Sequence, residues 1–264
     1  MTVSRSWEPA LRRRSLAASL RVVGVGLAHR APQHEAPVRV AAEIADGFGF
    51  VVGVLADYGI RAERAWALPS ELERRMGTLD PTLLARRLDD IIAACRSRPM
   101  LHRFPNRFAT FVHHAATRVS RDYGGQARRL WSGTPTATAL QIGFAQFDGI
   151  GQKKAAMAVD LVMRELGVSV AAPSGNDVAY DVHVRRVFLR TGLVPGDDPA
   201  LVLDAARELS PDHPAALDYP SWHIGRSYCR PTSPACERCP LEFACHYAEE
   251  QRAVLARQLV LFRT

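Results

Sequence analysis

Four of the five cysteines crowd into 17 residues near the C-terminus, as Cys229-x6-Cys236-x2-Cys239-x5-Cys245. A secreted disulfide scaffold spreads its cysteines over the fold. A tight set of soft thiolates in a reducing compartment reads instead as a metal site, whether Zn²⁺ or an iron–sulfur cluster. The long first and last gaps differ from the short paired knuckles of many zinc sites. Cys95 stands alone in an apolar helical context.

The chain has 264 residues, of which 47% are hydrophobic, enough for one large domain or two smaller ones. That apolar fraction excludes a disordered chain. No run approaches the ~20 apolar residues of a membrane span. The net charge of +7 leans toward a polyanionic partner. Of the 34 Lys and Arg residues, only Lys153 and Lys154 are lysine. A guanidinium stays protonated, whereas an ammonium can lose its proton when desolvated and become a nucleophile. The isolated lysine pair therefore invites a chemical reading. Met1–Arg14 is rich in Arg and Ser and lacks the apolar core of a signal peptide. The expected setting is cytoplasmic and nucleoid-associated, with an organelle transit peptide as the alternative.

Apolar residues recur at helical spacing over Ala41–Tyr58, Pro69–Gly77, Pro81–Ser97, Asn106–Tyr123, Thr136–Phe147, Lys153–Leu166, Val182–Thr191, Pro199–Leu209 and Tyr219–Tyr228. Asp80 before Pro81 is a helix cap ahead of a proline at the first helical position. Val168–Ala172 is too short for a convincing strand, so the expectation is an all-α protein. Residues 29–38 read as a linker, and 172–180 as a loop.

Thr136–Phe147, the turn Asp148-Gly149-Ile150-Gly151 and the run from Gln152 form helix, tight turn, helix. Glycines let backbone amides approach a ligand with no Cβ in the way. Those amides open a helix, where unsatisfied donors and the dipole favour an anion such as a DNA phosphate. Gly149, Ile150, Gly151 and Lys154 are the candidate DNA contacts, with Ile150 packing the turn. An ordinary helical hairpin is the alternative.

This segment resembles a helix-hairpin-helix motif, and its surroundings resemble the helix-hairpin-helix DNA glycosylase superfamily. Tyr180-Asp181-Val182-His183-Val184-Arg185-Arg186-Val187 is similar to that family's aspartate-bearing helix start. The cysteine spacing, with Trp222-His223-Ile224-Gly225-Arg226 before it and Cys245-His246-Tyr247 at its end, resembles the [4Fe–4S] loop of endonuclease III and its relatives. The resemblance implies two helical domains, a six-helix-type domain with the hairpin and an iron–sulfur domain, with a DNA cleft between them. Their expected extents are 41–175, and 1–40 with 176–264.

It further implies catalytic Lys153 and Asp181, cluster ligands Cys229, Cys236, Cys239 and Cys245, and DNA contacts from Arg230 and Arg238. The implied partner is double-stranded DNA carrying a modified base or an abasic site, bound by a monomer. The target base must be flipped out of the stack. Asp181 would stabilise positive charge on the sugar and help keep the nearby lysine neutral. Lys153 would attack C1′ and form a Schiff base that permits strand cleavage. A monofunctional glycosylase using water, and a non-catalytic DNA-binding protein, are the alternatives; in both, Lys153 is a phosphate contact. Asp181 read alone is a helix cap.

The chain departs from the family at three places. Phe147-Asp148 stands where Leu-Pro is usual, so Asp148 brings a negative charge to the hairpin. The span from Lys153 to Asp181 is longer than in endonuclease III, with the excess at 168–179. Ala56-Asp57-Tyr58-Gly59 replaces the family's polar gap-filling stretch. Tyr58 is either an aromatic wedge for the DNA stack or a core tyrosine. Oxidised pyrimidines are the default substrate by resemblance, and alkylated, deaminated or bulky bases stay open.

Overall fold

A computed structural model describes residues 8–28 and 36–261, with the backbone alone at Ala28, Ala36 and 259–261. The helices run α1 (Pro9–Ala28), α2 (Ala36–Glu43), α3 (Phe48–Ala56), α4 (Ala62–Met76), α5 (Pro81–Leu84), α6 (Leu88–Arg96), α7 (Pro105–Tyr123), α8 (Ala137–Ala145), α9 (Gln152–Arg164), α10 (Val182–Thr191), α11 (Pro199–Leu209), α12 (Asp218–Ser227) and α13 (His246–Leu261). Short 3₁₀ turns join several of them, and no strand occurs among the described residues. None of the described helices is long and apolar enough to cross a membrane.

The chain divides into two compact units, Ala31–Asn176 and Met1–Arg30 with Asp177–Thr264. The first boundary lies earlier than expected because α2 packs on α3 and α4 and so belongs with the hairpin. Of the expected linker 29–38, residues 29–35 lie outside the described residues and the rest opens α2. Residues 1–7, half of the Arg- and Ser-rich start, also lie outside them.

In the unit Ala31–Asn176 every residue of α3 is buried. A helix apolar on all sides must be enclosed. It is, by α2, α4, α7 and α9. Gly53 permits a close approach: a Cβ there would meet the Trp66 ring at 2.4 Å. The expected helix Ala41–Tyr58 is broken between α2 and α3, where Ala45 (φ 47°), Asp46 (φ 53°) and Gly47 (φ 90°) leave helical geometry. The expected helix Pro69–Gly77 begins earlier, at Ala62, and runs through Pro69. An interior proline costs about 3 kcal/mol, offset here by burial of Trp66, Leu68, Leu72 and Met76 on one face. Asp80 caps α5 through Thr82 N at 2.7 Å. The expected helix Pro81–Ser97 is split, and His113 Nε2 donates to the freed Ala85 carbonyl at 3.1 Å. The 168–176 part of the insertion packs back on this unit: Ala171 N donates to Pro135 O at 3.0 Å, and buried Asn176 donates to Ala156 O at 3.4 Å.

In the second unit, α10 and α11 have the expected bounds. Two helices absent from the expectation complete it. Arg-rich α1 buries Leu16, Ala17 and Leu20 in a core with Val187, Phe188 and Ile224. The other, α13, follows Cys245 and packs on α10.

Candidate active site and cysteine loop

The hairpin is built by local rules. Thr136 caps α8 by accepting from Ala139 N at 3.1 Å. Ile150 N donates to Phe147 O at 3.0 Å, closing the turn. Ile150 is 4% exposed, so its side chain packs the turn from within. Gly149 sits at φ 88°, and a Cβ there would meet the Phe111 ring at 2.7 Å. Gly151 is exposed and nothing lies within 4 Å of a Cβ built on it. One glycine thus serves packing, and the other leaves open space beside the start of α9, which has no side-chain cap. A helix start whose N-cap residue supplies no side chain is the kind of end that favours an anion. Asp148 does not point an unpaired charge at this end: its Oδ2 contacts His114 Nδ1 at 2.7 Å.

Lys153, the second residue of α9, is partly exposed, and its Nζ donates to Asp57 Oδ2 at 3.1 Å. Lys154 differs sharply from the expectation of a DNA contact. It is 8% exposed, donates to Leu55 O at 2.8 Å and lies 4.6 Å from the centre of the Tyr58 ring. Burial pushes its pKa down to about 8. One residue of helical rotation separates a partly exposed amine from a buried one.

Tyr58 is likewise not an exposed wedge. Its hydroxyl is buried with no hydrogen-bond partner, and its ring stacks on Phe104 at 5.9 Å and lies tilted against His102 at 4.3 Å. Burial raises its phenol pKa. The exposed ring of this group is Phe104, at 44%. Arg103 lies over Phe104 at 5.4 Å, and Arg107 lies over Phe111 at 5.3 Å. Buried His102 staples the stretch: Nε2 donates to Ala56 O (3.2 Å) and Tyr58 O (2.9 Å), and Nδ1 accepts from Phe104 N (3.0 Å). Those bonds fix the neutral tautomer, and burial lowers its pKa. Sequence reading missed Asp57, His102, Phe104 and Arg107, which carry no spacing signal.

In the other unit, Asp181 caps α10. Its Oδ1 accepts from His183 N and Val184 N, both at 2.8 Å. The cap fixes the carboxylate's orientation through one oxygen. Downstream on α10, Arg186 donates to Cys229 O at 2.5 Å and to Gly225 O at 2.6 Å. Arg190 donates to Arg230 O (2.7 Å) and Pro231 O (2.9 Å) and reaches Cys229 Sγ at 3.7 Å. These two arginines strap the cysteine loop to the helix that Asp181 opens. Arg230 and Arg238 are exposed, and Arg230 also donates to Ser233 O at 3.1 Å.

Cys229, Cys236, Cys239 and Cys245 are free thiols lining one cavity of about 20 Å³, together with Val187, Ile224 and Leu241. Burial pushes the Cys239 thiol up to about 12. Among the described residues no three Cys, His, Asp or Glu side chains form a group that could hold a metal ion. A tetrahedral zinc needs all four sulfurs within ~2.3 Å of one point. In a four-iron cluster each thiolate has its own iron; here the four cysteines line one shared cavity.

No protein-family model matches the chain, and no curated protein matches it. Solved structures do. A thermostable thymine-DNA glycosylase aligns with a TM-score of 0.63 at 16% identity, over 90% of this chain and 97% of that one. A trapped covalent intermediate of endonuclease III with DNA aligns at 0.59 and 20% identity, over 78% and 85%. A non-covalent endonuclease III–DNA complex aligns at 0.58 and 19% identity, over 83% and 95%. The chain thus has the all-α fold of the helix-hairpin-helix DNA glycosylases, shared with endonuclease III and thymine-DNA glycosylase.

Proposed function

We propose that this protein is a DNA glycosylase that excises a modified base and nicks the strand through Lys153. The observation that carries the reading is the placement of Lys153. A primary amine sits partly exposed two residues beyond the open Gly151, on the helix whose uncapped N-terminus suits a phosphate. Backbone amides at the hairpin hold the strand without reading its sequence. The extruded nucleotide presents C1′, and Asp181 stabilises the positive charge that grows on the sugar as the glycosidic bond breaks. Attack by Lys153 captures that carbon as a Schiff base, from which β-elimination cleaves the strand.

The four cysteines would hold a [4Fe–4S] cluster, whose chemistry here is structural: it ties the loop that Arg186 and Arg190 already strap to α10. Purified protein is then brown, with iron and sulfide in equal amounts; zinc gives a colourless protein.

The test is a panel of duplexes, each with one modified base, scored separately for released base, nicked strand and borohydride-trapped adduct. An adduct lost in Lys153→Ala supports the lyase. Base release without nick or adduct assigns the attack to water, and DNA binding with no base release on any duplex leaves a binding module.

A further inference from the structure

Lys153 meets a carboxylate that no spacing pattern marks. Its Nζ lies 3.1 Å from Asp57 Oδ2, with the carboxylate 14% exposed and the lysine 38% exposed. The acid therefore sits on the inner side of the pair and the amine on the outer side. The backbone that carries Asp57 is unusually well fixed. Lys154 Nζ holds the Leu55 carbonyl at 2.8 Å, and His102 Nε2 holds the carbonyls of Ala56 and Tyr58 at 3.2 and 2.9 Å. Asp57 N itself donates to Val54 O at 3.3 Å. A group held on rigid backbone keeps its geometry when substrate arrives.

We propose that Asp57 is the positioning residue for Lys153, holding its amine at the mouth of the hairpin and accepting the proton that the amine sheds on attack. This rests on the reading of Lys153 as the nucleophile. An ammonium has no lone pair, so a proton must leave before the C1′ bond forms. A general base must lie within hydrogen-bond reach of that proton, and Asp57 does. Lys154 on α9 lies close enough to feel Asp57, Lys153 and Arg107 of α7, and Tyr58 and His102 lie beside Lys154. The cations among them cannot accept a proton, and neutral His102 has its acceptor nitrogen taken by Phe104 N. In the step, one proton passes from Lys153 to Asp57 and the freed lone pair bonds to C1′. The glycosidic bond breaks with its electron pair on the base, which solvent protonates. Asp57 then returns its proton to solvent, and nothing is oxidised or reduced.

The experiment measures single-turnover borohydride trapping against pH on a duplex that wild type processes, for wild type, Asp57→Asn, Asp57→Glu and Lys153→Ala, with melting curves for each. Asp57→Asn is expected to trap roughly 10²-fold more slowly near neutral pH. Its rate should then climb with pH as solvent takes over the deprotonation, while wild type stays flatter, and Asp57→Glu should recover part of the rate. Asp57→Asn trapping at the wild-type rate or faster overturns the proposal, because the carboxylate then merely restrains the amine. A uniform loss at every pH with no recovery in Asp57→Glu overturns it too, as a structural role. If Lys153→Ala still traps, the nucleophile reading itself falls, a result separate from any behaviour of the Asp57 variants.

Discussion

Gly149→Ala tests whether the hairpin is set by packing or by ligand access. Two independent costs are visible at this position. The residue sits at φ 88°, where a side chain costs about 1–2 kcal/mol. Its Cβ would also stand 2.7 Å from the Phe111 ring, and such overpacking in a closed site costs about 1–3 kcal/mol. Together they give about 2–5 kcal/mol. Urea unfolding with the variant Phe111→Ala separates the two. Alanine removes the Cγ, Cδ2 and Cε2 atoms that clash, so the double mutant should recover the overpacking part and keep the backbone part. The expected coupling is about 1–2 kcal/mol in favour of the pair. Gly151→Ala, at an extended residue with nothing within 4 Å of the added methyl, should leave stability within about 0.5 kcal/mol and weaken DNA binding instead. If Gly149→Ala unfolds within about 0.5 kcal/mol of wild type, or if Phe111→Ala restores nothing, the packing account of the turn is wrong.

Lys154→Met should change how stability depends on pH. The folded-state pKa is lowered to about 8 by burial. Between there and the ordinary lysine value near 10.4 the unfolded chain binds the proton more readily, so this site adds stability as pH rises, by about 3 kcal/mol in all. Below that window the buried charge costs its full penalty in the folded state, and the methionine variant should flatten the rise; parallel profiles would refute the assignment. Asp181→Asn should keep the melting temperature, since asparagine caps a helix as well as aspartate does, while base release falls by about 10² or more; undiminished turnover removes Asp181 from the chemistry. Arg190→Ala removes the bonds to Arg230 O and Pro231 O and should lower the iron retained per chain after gel filtration, an outcome absent if the loop is held by its cysteines alone.

The helices whose pattern was readable share a simple physical origin. Each of α10 and α11 has an acidic cap, a buried stripe and a clear stop, and each lies where its periodicity placed it. Misreadings cluster where packing overrode local preference. Pro69 marks a start in sequence, yet α4 passes through it because one face is buried on both sides of the proline. Helix α1 was hidden by its arginines, which a short apolar stripe outweighs once a core exists to receive Leu16 and Leu20. Lys154 looked like a surface group in a basic, glycine-rich setting and is instead buried against the Tyr58 ring, which takes the core alternative of its two readings.

By itself the sequence determined the hairpin, the aspartate that opens α10 and the clustering of four thiols, because each depends on residues adjacent along the chain. Tertiary structure alone decided which of two neighbouring lysines reaches the surface and which is enclosed. It also brought Asp57, 96 positions away along the chain, to Lys153. The reason is that burial and charge pairing depend on what lies across a helix, and a single strand of letters carries no record of that neighbour.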